Sequence, residues 1–549
     1  MNSVQTCRLQ LVRKCIVWLF SVAICLLNLG CGGGGGGLTI ISGVGSGGTG
    51  SAVGTISGFG SVIVDGQRID DESALLEVES QPGSPNRVGI DDTEARLGQQ
   101  TIIATDVTSS VASSVKIQPA VIGEVDSIDL AGGKIVVAGQ NITFNATATH
   151  GAPTVFDGYE QISDISIGDQ IMVHGHVNPT TSQVQAARIE SQPPGVVQVR
   201  VTGTVSGLNS TQFNVGALIV KYDSTVTMLP NGASLANGQN VVVWSGSTVS
   251  NGQLQAQIIS TVTDSIAGLP IRVGGLISGC GRTTACTGTF KVDGFTVDPS
   301  TASITGGTSA QFIDGQYAAI VGTADPQSSV IKATSVALRS INSVDVTLYG
   351  AVFDPVNAST FLMHGVPVIV TSNTVFNSGC AISEGQAVQV TGSITRNQVT
   401  AQIISCLSSL EGLTVNLRGV VNNLNSSTNI FQLTNALETV PVKFAKATFI
   451  DGTSSSLTNG GYVVVNGKVK NGTLVAQKVR IAPAPVASQF ETEGIAYAVR
   501  GTTSFKVNGL VINNPTNVTG GTLQNGHRVR VQFTGNSNGV YQAVLVTIL

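Results

Sequence analysis

Residues 201–205 read V-T-G-T-V, 213–216 read F-N-V-G, 235–243 read L-A-N-G-Q-N-V-V-V and 255–259 read Q-A-Q-I-I. The pattern returns seven times, about every 74 residues, up to Leu549; a period this long and regular marks an array of structural units. Its opening glycine is Gly54, Gly123, Gly203, Gly275, Gly350, Gly419 and Gly494. A second landmark is a short apolar strand running into a turn glycine at Gly66, Gly139, Gly216, Gly294, Gly365 and Gly509; the sixth copy has F-Q-L-T-N there, at Phe431. A third is the turn glycine before a strand: Gly98, Gly168, Gly238, Gly315, Gly385, Gly460 and Gly526.

Alternation after the third glycine decides the fold class. Ile171 and Val173, Val241 and Val243, Ala318 and Ile320, Val388 and Val390, Val463 and Val465, and Val529 and Val531 stand three and five residues beyond it, with Thr101 and Ile103 in the first copy. Side chains two apart on a strand share a face, so each pair points into one core. Ile165, Leu235, Phe312, Ile382, Leu457 and Leu523, three residues before the same glycine, are expected to plug one end of that core. Phe213, Phe290, Phe361, Phe431 and Phe505 recur at one place and read as packing. No capped 3.6-residue apolar stripe follows the leader. Each unit therefore holds five or six short strands punctuated by Gly, Asn, Asp and Ser. Closing them into a small barrel removes exposed edges. The expected architecture is all-β: a tandem array of about seven small β-barrels, as beads on a semi-stiff rod with short Pro joints at Pro193, Pro194, Pro483 and Pro485.

The chain then divides into a leader at 1–31, a Gly/Ser-rich tether at 32–52, and repeats at 53–119, 120–195, 199–266, 271–341, 345–411, 414–486 and 490–549. Arg8, Arg13 and Lys14 precede an apolar run at 16–29, too short for a good membrane span, which ends in Leu29-Gly30-Cys31 and six glycines. This resembles a bacterial lipoprotein signal, with Asn28 where Leu is usual; the resemblance implies cleavage before Cys31 and lipid on that residue. Such an anchor makes the membrane a partner and places the chain in the cell envelope, at the outer membrane.

V-G-T-I-S-G-F-G-S-V-I-V-D-G at 53–66, with later L-x-x-G-x-x-V-x-V-x-G stretches at 165–175 and 457–467, resembles an uncharacterised bacterial family of exported proteins. Its domain is of unknown function, with an F-G-S-(I/V)-x-V-(N/D)-G opening. The resemblance implies OB-like barrels and no activity.

Net charge is −4, and removing the leader's three basic residues leaves about −7 on a chain of only 11% charged residues. No cationic stripe for nucleic acid exists, so nucleic acid is not an expected partner. Of eight cysteines, Cys7, Cys15 and Cys25 belong to the leader. Cys280 with Cys286 and Cys380 with Cys406 each fall inside one repeat, and an even count in an exported chain reads as two disulfides. Zinc would want Cys-x-x-Cys or nearby His, which neither pair has. His174 and His176 make a poor metal pair, and His174 has the parity opposite to Ile171 and Val173, which points it to solvent. Asp70, Asp71, Glu72, Asp91, Asp92 and Glu94 make the first copy acidic, but their spacing fits no calcium loop. No Ser/His/Asp set, paired carboxylates or phosphate cradle stands out, so no catalytic residue, metal or cofactor is assigned. The sequence reads as a non-catalytic envelope lipoprotein, a scaffold or spacer touching protein or polysaccharide. The alternative is an exported carbohydrate-binding or carbohydrate-active protein with its site in one divergent repeat.

Overall fold

The second copy shows how the pattern folds. Its first strand (Val121–Asp129) turns back into a second (Lys134–Val137) and a third (Gln140–Phe144). A short fourth (Val155–Asp157), a fifth (Gln170–Val177) and a last strand (Val184–Ser191) follow. First pairs with second, second with third, third in parallel with last, last with fifth, and fifth with first. Five strands thus close on themselves, with the fourth lying parallel along the last. This is the OB arrangement, a small Greek-key barrel. The fourth copy repeats every pairing, as does the sixth.

The structure, a computed structural model, describes residues 50–549 except 65, 72–73, 80–84, 90–94, 107–110, 146–152, 178–181, 196–197, 230–231, 262–269, 282, 293–294, 326–329, 340–345, 358, 378, 485–488 and 536–539. The leader, Cys31 and nearly all of the tether lie outside the described residues, as do Glu72, Asp91, Asp92 and Glu94. Seven barrels occupy 50–117, 121–191, 199–261, 270–339, 346–406, 414–482 and 489–548. The described residues contain no α-helix, and no helix is long and apolar enough to cross a membrane.

Burial follows the alternation. All seven post-glycine pairs are buried, from Thr101 and Ile103 to Val529 and Val531, and so are the five recurrent phenylalanines. The glycine at that turn has positive φ in every copy, from +81 to +91°, a region where a Cβ is strained. The opening glycine serves differently. A Cβ on Gly123 would stand 2.7 Å from that of Ala138, and one on Gly203 would stand 2.4 Å from Val215 Cγ1, so the hairpin of the second and third strands can fold across the first only where there is no side chain.

The barrels are not beads on a rod. The described residues fall in one compact unit. The first strand of copy one (Gly50–Phe59) pairs in parallel with that of copy four at Ser51–Ile271 and with that of copy five at Gly58–Thr347. The first strands of copies two and three (Val121–Asp129 and Val199–Ser206) pair at Ile122–Arg200. Copies one and five share one apolar cluster and copies two and three another, while four, six and seven each centre on their own. Self-sufficient copies with short Pro joints point to a rod, but strands of several copies pair with strands of another barrel instead.

Candidate functional site

The joints between barrels hold most of the buried charge. In copy two the last strand places Arg188 directly opposite His174 of the fifth strand, and Glu190, two residues on along the same strand, is in register with Asp157 of the fourth. Arg188 is fully buried and forms ion pairs with both Asp157 and Glu190. Its Nη1 also donates to the carbonyl of Leu97 in copy one and to Oδ1 of Asn397 in copy five, each at 3.0 Å. Arg96 of copy one reaches Glu190 at 3.0 Å. Asn397 donates in turn to Asn508 Oδ1 of copy seven at 2.9 Å, and Asn508 donates to the carbonyl of Glu493 at 2.8 Å. One guanidinium thus sits where four copies meet. Burial would raise the Glu190 carboxyl, but Arg188 and Arg96 hold it well below the carboxylate range.

His174 stands in the same joint at 1% exposure, and among the described residues neither ring nitrogen has a hydrogen-bond partner. Its expected solvent orientation is corrected here: it does have the outward parity, but outward is toward other barrels. Burial lowers its pKa to about 4; Glu190 opposes this, while Arg188, Arg96 and Arg200 add to it. Arg528 of copy seven is lowered to about 10, first by burial and then by Arg96. A neighbouring joint ties copy one to copy three. Arg200 pairs with Glu79 at 2.8 Å, lies over the Trp244 ring at 5.6 Å, and the Trp244 indole donates to the other Glu79 oxygen at 3.1 Å.

A third charged joint, between copies five, six and seven, borders a small cleft. Asp354, fully buried, pairs with Arg418 and accepts from the Glu491 backbone N–H at 2.8 Å. Arg418 also reaches Glu384 at 3.1 Å and lies over the Phe353 ring at 5.0 Å. Burial raises Asp354 to about 7 against the pull of Arg418, with Glu384 adding to the rise; Glu384 itself is raised, mainly by burial. The cleft of about 40 Å³ is lined by Phe353, Arg418, Tyr462, Arg480, Phe490 and Glu491 among others. Raised carboxyls beside aromatic rings are what acid–base chemistry on a sugar would use, but here Arg418 pairs with both of them.

Both disulfides are formed: Cys280–Cys286 in copy four, and Cys380–Cys406 in copy five, joining the approach to the fifth strand to the end of the last. His176 lies in copy two, its ring against the position of Gly275 in copy four, a further joint. Asp70 forms an ion pair with Lys468 of copy six, and Asp71 is buried and accepts from the Val62 N–H at 3.0 Å. These two acids are thus occupied within the fold rather than gathered around a cation, and among the described residues no group of three or more His, Cys, Asp or Glu is placed to hold a metal. Arg188, Arg200, Asp354 and Asn508 were not singled out from the sequence. The available signal was an Arg in the middle of an otherwise apolar strand, as in V-R-V at 199–201.

A family model described as a domain of unknown function (DUF5666) matches residues 122–190, 202–260, 349–405, 418–480 and 484–547, more than half of the chain. The chain belongs to this family, in five tandem matches. Copies one and four are not matched, yet they keep the same strand pairing. No curated protein matches the chain. Among solved structures, one titled "drosophila Unr CSD456" is similar at 17% identity over 34% of this chain and 84% of that one; its TM-score of 0.11 carries no argument.

Proposed function

We propose that this chain is a non-catalytic scaffold of the cell envelope, anchored through lipid on Cys31, that holds protein or polysaccharide on a multi-barrel body. The observation that carries this reading is where the charged side chains go. Arg188, Glu190, Asp157, Arg200, Glu79, Arg418 and Asp354 are engaged in joining barrels, so the groups that turnover would need are consumed by architecture. Two disulfides support an oxidising, extracytoplasmic setting. Protease shaving of whole cells, with mass spectrometry of the N-terminal peptide, tests it. Diacylglycerol on Cys31 and cleavage in the barrels by external protease support a surface lipoprotein, and an unmodified N-terminus or a soluble product of the wild-type gene overturns the anchor.

A carbohydrate-binding role is the second reading, favoured by Asp354, Glu384 and Glu491 beside Phe353 and Phe490. A glycan array separates the two. Micromolar binding that Asp354→Asn removes supports the second reading; no binding by the intact chain leaves the scaffold.

A further inference from the structure

The short fourth strand lies on the outside of each barrel. Copies two and five carry nearly the same one, T-V-F-D at 154–157 and T-V-F-N at 374–377. In copy two it is covered: Val155, Phe156 and Asp157 are all buried. The cover is the turn before the fifth strand of copy one. A Cβ on Gly98 would stand 3.1 Å from Val155 Cγ2, Leu97 is buried in the same apolar cluster as Val155, and the Leu97 carbonyl takes the hydrogen bond from Arg188.

In copy five the same strand is bare. Val375 is 54% and Phe376 39% exposed, and Asn377 is exposed too. Register pairs Val155 with Arg188 in copy two and Val375 with Ile403 in copy five, and Ile403 is 39% exposed. Copy five has therefore replaced the buried ion pair of this edge with Asn377 and Ile403, leaving an apolar face that needs no charged partner.

A matching knob exists elsewhere on the chain. The residue before the turn glycine is Leu97 in copy one and Ile167 in copy two; in the other five copies it is Asn237, Asp314, Glu384, Asn459 and Asn525. Leu97 is used internally. Ile167 is 69% exposed, more than any other large hydrophobic among the described residues. The chain thus carries one knob-and-edge pair that is satisfied, and one knob and one edge that are not.

We propose that these two leftovers meet between molecules: Ile167 of one chain seats on the Val375–Ile403 edge of a second copy, repeating the packing of the Leu97–Gly98 turn against Val155 inside the chain. Knob and edge lie on different barrels, so the contact joins two unlike patches. It either closes as a reciprocal pair or propagates as an array, and the same two patches serve both.

Analytical ultracentrifugation of the exported chain in mild detergent, from nanomolar to high micromolar concentration, tests this. Wild type associates with concentration. Ile167→Asp and Val375→Asp each weaken association at least about tenfold; both sites are exposed, so circular dichroism and melting stay as in wild type. Mixing the two variants restores a one-to-one complex, because each supplies the patch the other lacks. A monomer at every concentration, association indifferent to either substitution, or a mixture that fails to pair overturns the proposal.

Discussion

Replacing Arg188 with Met keeps most of the side-chain volume and removes the charge. Asp157 and Glu190, each no more than 4% exposed, are then left facing each other without their shared cation. Arg96 still reaches Glu190, so Asp157 carries most of the loss. Breaking a buried pair by removing one partner costs about 3–5 kcal/mol. The carbonyl of Leu97 and the amide of Asn397 also lose their donor, each worth about 1 kcal/mol. The expected destabilisation is therefore about 4 kcal/mol or more, and it falls on the contacts among copies one, two and five rather than inside one barrel. Calorimetry combined with hydrogen exchange reads both aspects. Protection should drop first at 95–103, 155–157 and 397–404, while the phenylalanine cores of copies three and six keep theirs. A triple variant, Asp157→Asn/Arg188→Met/Glu190→Gln, leaves no buried carboxylate without its cation, at the cost of the Arg96–Glu190 pair, and should recover at least half of the loss. A single substitution costing under about 1 kcal/mol, or a triple variant no better than the single, would refute the idea that charge compensation holds this joint.

Acid should act through His174. Its folded pKa near 4 lies below the ordinary 6.5, so the fold favours the neutral ring; the resulting stability is complete above pH 6.5 and is lost as pH falls toward 4. The loss is about 3 kcal/mol, and His174→Leu should flatten that part of a stability-versus-pH profile. Phe213→Ala should cost about 3–5 kcal/mol, with lost exchange protection concentrated in copies two and three, which share its cluster. Removing Cys380–Cys406, which closes a 26-residue separation, should cost about 3 kcal/mol by the chain-entropy argument, and Cys280–Cys286, which closes 6, about 2; paired Cys→Ala melts check the order.

The barrel was legible because its signal is local and repeated. Val241 and Val243 share a face whatever surrounds them, and Gly238 before them, at φ +85°, marks the turn. The joints were not legible, because parity says which side chains point away from a barrel's own core and nothing about what they point toward. His174 shows this directly: its parity is outward, yet the side chain is buried in the joint where Arg188 and Arg96 meet Glu190. Arg188 and Asn508 gave still less signal, being 320 residues apart in sequence and linked only through Asn397. The disulfides stood between these cases, visible as an even count with each pair inside one repeat.

The parallel seam along the opening strand of copy one bears on how such a chain matures. Ser51 waits for Ile271, and Gly58 for Thr347, so the earliest barrel to be synthesised carries a raw margin until nearly 300 further residues have followed. Long-separation pairings of this kind form late, and unfinished margins attract the wrong strands meanwhile. The seam of the barrel made first is completed only after the fifth has arrived, and a holdase has its natural point of action in that interval.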